Sequence, residues 1–369
     1  MGSYAEINLK AFSHNLRFLK NRLKPSTKIM AVLKANAYGH GSAMIARQAE
    51  ADGVEMLGAA NLPEAVGLRN AGIKLPVLIL SGITKDQIKI FLNYDFSTVI
   101  YSKEVAAALH AAAKRKKKKI KVHLKVDTGM GRLGFNPKET FSFISQYNGT
   151  EFFVFEGLMT HLASAFNKNK KAFTNLQIKT LNALVEDLKA TGISFPIIHC
   201  ANSAGIIDFP ESHFDMVRPG ILLYGISPFD DKRNDLDTEP VLSWKTQIIQ
   251  VSHIQKGKPI SYGGTFVTKR DSVIATIPVG YADGYDRLLS NKISVLVNGK
   301  SAPQVGRVCM DLTMIDVTGI SDVSIGDEVV LIGKQGRKEI QAKDLSEKTN
   351  TIPYEILCGI GNRTTRIYT

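Results

Sequence analysis

The sequence is poor in cysteine and lacks long apolar runs. Its 369 residues include three cysteines, Cys200, Cys309 and Cys358. They are far apart and lack the spacing of metal ligands, so we expect no metal site and three buried thiols in a reducing compartment, the cytoplasm. No apolar run approaches the roughly 18–20 residues that cross a bilayer. The N-terminal residues also lack the basic and apolar segments of a secretory signal. We therefore expect neither a membrane protein nor a secreted one.

Acidic residues are also scarce, with 34 Asp and Glu against 47 Lys and Arg, which gives a formal net charge of +13. Such an excess can indicate binding to nucleic acid. The densest basic run, Lys114 to Lys119, contains no aromatic residues and follows an Ala-rich helix pattern, Glu104 to Ala113. Since cations are favourable at a helix C-terminus, we interpret the run as a solvated helix end and expect no nucleic-acid partner. The alternative, a nucleic-acid-binding module, predicts affinity that falls steeply with salt.

The first two thirds of the chain contain eight short apolar runs separated by helix-like stretches. The runs are Ile29–Leu33, Met56–Ala60, Val77–Leu80, Ser97–Ile100, Val122–Val126, Gly157–Thr160, Ile197–Cys200 and Met216–Val217 leading into Ile221–Leu223. They are almost continuously apolar, as in parallel strands that are covered on both faces. The pattern predicts an α/β fold with a (β/α)8 barrel of the TIM type. The connection between the seventh and eighth runs is short, so we expect a stunted helix there.

A second domain follows a polar stretch between Ser227 and Pro240, which we interpret as a linker. Beyond it the strand-like segments are bounded by glycine turns and comprise Lys245–Val251, Ser272–Ile277, Ile293–Val297, Val308–Val317 and Glu328–Ile332. A chain of this length commonly forms two domains. We predict a barrel domain over residues 1–235 and a mostly β domain over residues 236–369.

Enzymes of the barrel fold place their sites at the C-terminal ends of the strands. Lys34 follows the first run, and burial there would favour the neutral amine that imine formation requires. The alternative is a lysine that extends to solvent. Lys125 and Asp127 alternate with apolar residues at the end of the fifth run and should both face the barrel interior. Buried charges need partners and Arg132 is nearby in sequence, so a structural ion-pair cluster is the alternative to a catalytic role or accompanies it.

Histidines and small polar residues end the last three runs. His161 follows the sixth run, and His199 lies at the end of the seventh. Ser203 after the seventh run and Gly220 after the eighth suit a phosphate, since the loops after these two strands often bind one in this fold. A single histidine is usually a satisfied core residue, but several polar groups on one rim predict a site.

These motifs resemble those of the alanine racemase family, whose members are pyridoxal-phosphate-dependent amino-acid racemases of fold type III. The similarity is strongest in segments that occur in the same order and extend over nearly the whole chain: 31–41, 125–134, 160–161, 201–203, 217–225, 261–265, 280–284, 306–311 and 351–355.

The resemblance implies a cofactor site in the barrel. Lys34 would bond covalently to pyridoxal 5'-phosphate, and Arg218 would donate to its pyridine nitrogen. His161 would contact Arg218, and Arg132 would contact both the cofactor and the substrate carboxylate. The remaining residues implied to bind the cofactor, mostly at its phosphate, are Tyr38, Asn202, Ser203, Gly220, Ile221 and Tyr354.

The resemblance also implies a homodimer with shared sites. Tyr262, Tyr281, Met310 and Asp311 would enter the partner subunit's site, where the last three would contact substrate. Lys125 resembles a lysine that is carbamylated in many members and orients the arginine. The expected activity is the interconversion of L- and D-alanine, which supplies D-alanine for peptidoglycan.

Racemisation requires proton exchange on both faces of one carbon. We expect Lys34 to serve one face and Tyr262 the other. A phenol has an ordinary pKa of about 10, so a cationic network must favour its ionised form, and the Arg218–His161 pair is the candidate. Two enzymes of the same fold remain alternatives, a basic amino-acid decarboxylase and a broad-specificity racemase. Single-domain cofactor-homeostasis proteins lack the second domain.

Overall fold

The computed structural model describes residues 2–147, 149–229, 233 and 235–369. The chain divides into two compact units. The barrel unit comprises residues 12–37 and 42–239, and the β unit comprises residues 1–11, 38–41 and 240–369. Part of the predicted linker, residues 230–232 and 234, lies outside the described residues.

The barrel unit contains eight parallel strands, which confirms the predicted fold. They are β2 (Lys28–Val32), β3 (Met56–Ala59), β4 (Val77–Ile79), β5 (Ser97–Ile100), β6 (Ile120–Lys125), β7 (Phe153–Met159), β8 (Ile197–His199) and β9 (Met216–Val217). Their order is β8-β7-β6-β5-β4-β3-β2-β9. The two end strands do not form a regular ladder, but the Asp215 amide donates to the Ile198 carbonyl at 3.0 Å and the Arg218 amide to the Ala201 carbonyl at 3.0 Å. The barrel is therefore nearly closed.

Helices alternate with these strands. They are α1 (Leu9–Lys20), α2 (Lys34–Tyr38), α3 (Ser42–Ala51), α4 (Leu62–Asn70), α5 (Ile88–Phe91), α6 (Lys103–Lys116), α7 (Pro137–Gln146), α8 (Lys171–Ala190) and α9 (Ser203–Asp208). The six residues of α9 confirm the expected stunted helix. The lysine run ends α6, where Lys117 adopts φ 53°, and confirms the interpretation as a solvated helix end. None of the helices described is long and apolar enough to traverse a lipid bilayer.

Apolar side chains fill the barrel interior. Seven of the eight strands each contribute one buried residue to a single cluster: Met30, Met56, Leu78, Val99, Met159, Ile197 and Met216. Complete burial of such side chains contributes roughly 1.5–3 kcal/mol each. This layer supports the strand ends that carry the candidate site. Strand β6 contributes no residue to the cluster, and its fully buried side chains include the imidazole of His123.

The β unit is mostly β, as predicted. Its strands are β1 (Tyr4–Ile7), β10 (Leu242–Gln247), β11 (Gln250–Ile254), β12 (Pro259–Ile260), β13 (Phe266–Val267), β14 (Ser272–Ile277), β15 (Ser294–Val297), β16 (Lys300–Pro303), β17 (Thr313–Asp316), β18 (Glu328–Gln335), β19 (Lys338–Ile340) and β20 (Thr365–Tyr368), and its helices are α10 (Ala342–Thr349) and α11 (Pro353–Gly359). The largest sheet has the order β16-β15-β18-β10-β1-β20, with β19 paired to β18. Strand β1 joins it because it pairs with both β10 and β20.

Four details differ from the sequence-based expectations. Residues 221–223 do not continue the eighth strand but form a 3-10 turn, Ile221–Tyr224, which ends at Gly225 with φ 77°. Residues 245–251 form parts of two strands, β10 and β11. Residues 308–312 precede β17 as a loop, because the Cys309 amide donates to the Leu312 carbonyl and closes a turn. Cys200 is buried, but Cys309 is only partly buried and Cys358 is exposed, so the expectation of three buried thiols is wrong.

Candidate active site

Lys34 lies at the open rim of the barrel and begins a left-handed turn. Residues 35–38 all have φ between 52° and 55°. Left-handed backbone costs roughly 1–2 kcal/mol per residue, so the turn requires compensating contacts. The Glu64 carboxylate supplies one of them by accepting from the Ala35 amide at 2.8 Å, and it is itself held by the Ala60 amide at 2.7 Å. Because β2 ends at Val32, the Lys34 side chain is exposed in the isolated chain, and the expected burial is wrong.

Lys125 is the buried cation of the barrel mouth. It is 5% exposed. Burial, followed by the charges of Arg218 and Arg132, lowers the pKa of Lys125 from 10.5 to about 8. Lys34 adds a smaller repulsion, so four cationic side chains influence one another in this part of the barrel unit.

Asp127 does not balance these charges by an ion pair. Its carboxylate accepts hydrogen bonds from the backbone amides of Gly129 at 2.8 Å, Met130 at 2.7 Å and Arg132 at 3.1 Å. Burial alone would raise the pKa of Asp127, but these amides outweigh it and the pKa lies below its ordinary value. Within the described part of the chain, no salt bridge joins Asp127 to Lys125 or Arg132, so the alternative of a structural ion-pair cluster is not found there. The backbone amides of the short loop after β6 lie nearer to the Asp127 carboxylate than the charged groups of Lys125 and Arg132 do.

Arg218 is fixed by four hydrogen bonds to groups on the strand ends. One terminal nitrogen donates to His199 Nδ1 at 2.9 Å. The other donates to the carbonyls of Thr160 at 2.8 Å and Cys200 at 3.0 Å, and to His161 Nδ1 at 3.2 Å. The side chain is buried, and burial lowers the pKa of Arg218 to about 10. Arg218 therefore remains a charged donor whose orientation is fixed.

His161 is neutral at physiological pH. Burial, followed by the charge of Arg218, holds its pKa well below the ordinary value. Its loop is held by Gln177, a fully buried residue of α8 that sequence reasoning missed. The Gln177 amide donates to the His161 carbonyl at 3.1 Å and accepts from the Ala163 amide at 2.9 Å. A single glutamine within a helix pattern gives no sequence signal for this role.

Asn202 and Ser203 organise the loops after β8 and β9. Asn202 caps α9 by accepting from the Gly205 amide at 3.0 Å. The buried Ser203 hydroxyl accepts from the Gly220 amide at 3.0 Å and from the Leu222 amide at 3.4 Å. Ile221 lies between these two donor residues. The site therefore brings Ser203, Gly220 and Ile221 together, as the sequence predicts.

In the β unit, Tyr38 lies near Tyr354. Their ring centroids are 6.0 Å apart. Tyr38 is buried, and burial raises the pKa of Tyr354 to about 12. The Tyr354 phenol therefore remains a protonated donor at neutral pH, which suits the binding of an anion.

Tyr262 projects from a strained turn. Ser261 before it adopts φ 64° and ψ −176°, a region that is otherwise almost restricted to glycine. The conformation is stabilised because the Ser261 hydroxyl donates to the Arg307 carbonyl at 2.7 Å. Gly306 leaves the necessary space, since a Cβ there would lie 2.7 Å from the Cβ of Ser261. The Tyr262 side chain is 71% exposed.

Tyr281, Met310 and Asp311 lie on neighbouring loops of the β unit. The Tyr281 amide donates to the Cys309 carbonyl at 3.0 Å. Tyr281 is 42% and Met310 54% exposed. Asp311 forms an exposed ion pair with Arg363 at 2.8 Å. A cavity of about 650 Å³ adjoins Tyr262 and is lined by apolar residues that include Ile254, Ile260 and Met314. Large exposed apolar side chains next to such a cavity are typical of an interaction surface.

Comparison with known proteins identifies the family. Residues 7–228 match the family model of the alanine racemase N-terminal domain, and residues 241–368 match that of the C-terminal domain. The alanine racemase of Halothermothrix orenii is 46% identical over 366 residues, which cover 99% of this chain and 96% of the relative. The structure of alanine racemase from Clostridium difficile 630 has a TM-score of 0.95 at 36% identity and covers 100% of this chain and 96% of that one. The structure of the Bartonella henselae alanine racemase with covalently bound pyridoxal phosphate has a TM-score of 0.88 at 31% identity, with 100% of both chains covered.

Proposed function

Since the chain belongs to the alanine racemase family, we propose that it is a pyridoxal-phosphate-dependent enzyme that interconverts L- and D-alanine with two bases. The observation that carries this proposal is the fixed, buried Arg218 among the cations Lys34, Lys125 and Arg132. Arg218 and Lys125 are buried whereas Lys34 and Arg132 are exposed, and this concentration of positive charge favours an anionic ligand.

The residues of the barrel mouth fit pyridoxal phosphate. Arg218 uses both terminal nitrogens in the hydrogen bonds described above, and none of the bonds found involves its Nε, which therefore suits an acceptor such as a pyridine nitrogen. Ser203 and the Gly220 amide offer phosphate ligands. The Bartonella relative carries this group covalently bound, and in this chain the amine of Lys34 would hold it.

The protein's own residues determine which reaction follows. When bound, pyridoxal phosphate makes the α-proton of an amino acid removable. Because Arg218 holds its protons at neutral pH, a ring nitrogen beside it would stay unprotonated, which would disfavour side reactions such as decarboxylation. Lys34 would accept or return the proton on one face of the α-carbon and Tyr262 on the other. Arg132 would bind the substrate carboxylate.

We infer that the second base comes from a partner subunit. Tyr262, Tyr281 and Met310 are exposed in the isolated chain, whereas a catalytic phenol must be shielded from water to act as a selective base. A homodimer in which each β unit completes the partner's site would cover these side chains and place Asp311 near the substrate. The product would be D-alanine for peptidoglycan, made in the cytoplasm, where free thiols such as those of this chain persist.

We further infer that Lys125 is carbamylated. Its lowered pKa provides neutral amine at neutral pH, and the amine nitrogen would add to carbon dioxide with loss of one proton to solvent. The resulting anion would replace a cation among Arg132, Arg218 and Lys34 and would orient Arg132.

The two-base assignment is tested with Lys34→Ala and Tyr262→Phe. We expect Lys34→Ala to lose the visible absorbance of the bound cofactor, whereas the control Lys28→Ala, at the exposed start of β2, keeps it. We expect Tyr262→Phe to keep the absorbance but to lose solvent deuterium uptake from L-alanine. Unimpaired uptake would contradict the role of Tyr262, and an unchanged spectrum in Lys34→Ala would contradict that of Lys34. Chiral product analysis with several amino acids separates an alanine racemase from a decarboxylase or a broad-specificity racemase.

A further inference from the structure

A chain of buried hydrogen bonds extends from Arg218 away from the barrel mouth. His199 Nδ1 accepts from Arg218, and His199 Nε2 lies 2.9 Å from His123 Nδ1. His123 Nε2 lies 3.0 Å from a carboxylate oxygen of Glu156, which also accepts from the Ser97 hydroxyl at 2.6 Å. Both imidazoles are completely buried. The chain therefore connects a buried guanidinium to a distant carboxylate through two rings.

The groups at the two ends determine which atom donates in each hydrogen bond of this series. Arginine can only donate, so His199 Nδ1 must be the acceptor. Burial, followed by the charge of Arg218, holds the pKa of His199 well below its ordinary value, so the ring is neutral and carries its proton on Nε2. It then donates to His123 Nδ1, and His123 Nε2 donates to Glu156. An ionised carboxylate can only accept, so both ends require the same direction.

The backbone is shaped to make this contact. Val122 pairs with Phe155 and His123 with Gly157, so Glu156 is the extra residue of a β-bulge between β6 and β7. Bulges redirect side chains near functional sites. Gly157 is required beside it, because a Cβ there would overlap the imidazole of His123.

We propose that Glu156 is a positioning residue which, through His123 and His199, supplies the negative charge that balances Arg218 and keeps its guanidinium oriented towards the cofactor. Among the described residues, no ion pair joins Arg218 directly to a carboxylate. Glu156 is suited to this role because hydrogen bonds from His123 and Ser97 outweigh its burial and lower its pKa, so it stays ionised. The link to the cofactor rests on the proposed function, whereas the direction of the chain does not.

The first test is ring-nitrogen NMR of the protein labelled with 15N-histidine, with the cofactor bound and without it. We expect both His123 and His199 to be neutral and protonated at Nε2. Either ring protonated at Nδ1 would overturn the proposal. This measurement does not depend on racemase activity. It therefore separates failure of the proposed hydrogen-bond chain from failure of the proposed function.

The second test replaces the charge and keeps the shape. Glu156 is partly exposed, so Glu156→Gln should fold, and the matched control Glu151→Gln removes an exposed carboxylate just before the same strand. We expect Glu156→Gln to shift the His199 Nδ1 resonance towards that of a free acceptor, because a neutral amide polarises the rings less. We also expect kcat to fall about tenfold with KM changed less than about twofold, since a purely transition-state contribution lowers kcat alone. If Glu156→Gln matches Glu151→Gln in both the resonance and kcat, Glu156 is merely structural and the proposal is wrong.

Discussion

The pH dependence of stability tests whether the folded chain lowers the pKa of Lys125. Its pKa is lowered from 10.5 to about 8 by burial and then by Arg218 and Arg132. An unfolded chain keeps the ordinary value, so between pH 8 and 10.5 it binds more protons than the folded chain, and stability rises with pH across that window. One pKa unit corresponds to about 1.4 kcal/mol, so the penalty below pH 8 is about 3 kcal/mol and is relieved above pH 10.5.

The free energy of unfolding is measured by denaturant titration in buffer free of carbon dioxide. We compare the wild type with Lys125→Met, which removes the ammonium and keeps most of the volume. The difference in stability between the two proteins should change by about 3 kcal/mol from about pH 7 to above pH 10.5. Lys121→Met, at an exposed position of the same strand, is the control and should follow the wild type.

Bicarbonate provides the second arm of this experiment. If Lys125 is carbamylated, added bicarbonate stabilises the wild type near neutral pH, because the modified form occurs only in the folded chain. Lys125→Met should not respond. Parallel pH curves for the wild type and Lys125→Met in the absence of carbon dioxide would refute the reasoning about burial and neighbouring charge.

Two further substitutions test the backbone supports of the site. Ser203→Ala leaves the buried amide of Gly220 without its acceptor, so we expect a loss of about 1–3 kcal/mol of unfolding free energy and weaker binding of pyridoxal phosphate, measured by absorbance titration; unchanged values for both would contradict the assignment. Gly306→Ala places a Cβ 2.7 Å from that of Ser261, so we expect a cost of about 1–3 kcal/mol and a lower kcat as Tyr262 is displaced. Gly257→Ala, at a similar positive φ of 82° but with nothing within 4 Å of the added carbon, is the control, and equal effects of the two alanines would show that contact with Ser261 does not matter.

The barrel could be predicted because each strand is an almost continuously apolar run. Strand β5 begins and ends where the sequence predicts, and the other barrel strands differ by at most a few residues. Strand β1 could not be assigned to the β unit, because its partners β10 and β20 are more than 230 residues away along the chain. Only long-range pairing decides that residues 1–11 belong with residues 240–369.

Residues of the candidate site that lie in local motifs at strand ends could be predicted from the sequence. Features that depend on three-dimensional packing could not. The proximity of Ser203 to Gly220 and of His161 to Arg218 agrees with the expectation from strand ends. The exposure of Lys34 follows from the left-handed turn that it begins, and no residue in that turn other than Asn36 has a preference for such backbone.

The supporting residues gave no signal at all in the sequence. Glu156 lies just before the sixth apolar run, and its position depends on a bulge that shifts the pairing of β6 and β7 by one residue. The strain at Ser261 depends on space left by Gly306, 45 positions later in the numbering. A one-dimensional pattern contains neither fact, because both arise from the register and close approach of segments that meet only in the folded chain.

The charges of the barrel mouth explain why these supports are needed. The carboxylate of Asp127 is used by backbone amides, and that of Glu156 reaches Arg218 only through two imidazoles. The cations are therefore fixed in place but only partly neutralised, which costs stability in the free protein and favours an anionic ligand when one binds. A direct carboxylate partner for Arg218 would remove that cost, but in the proposed cofactor site it would also offer a proton acceptor near the ring nitrogen. Placing the negative charge two rings away balances part of the charge of Arg218 and leaves it a donor only, which is the property that the proposed reaction would require of it.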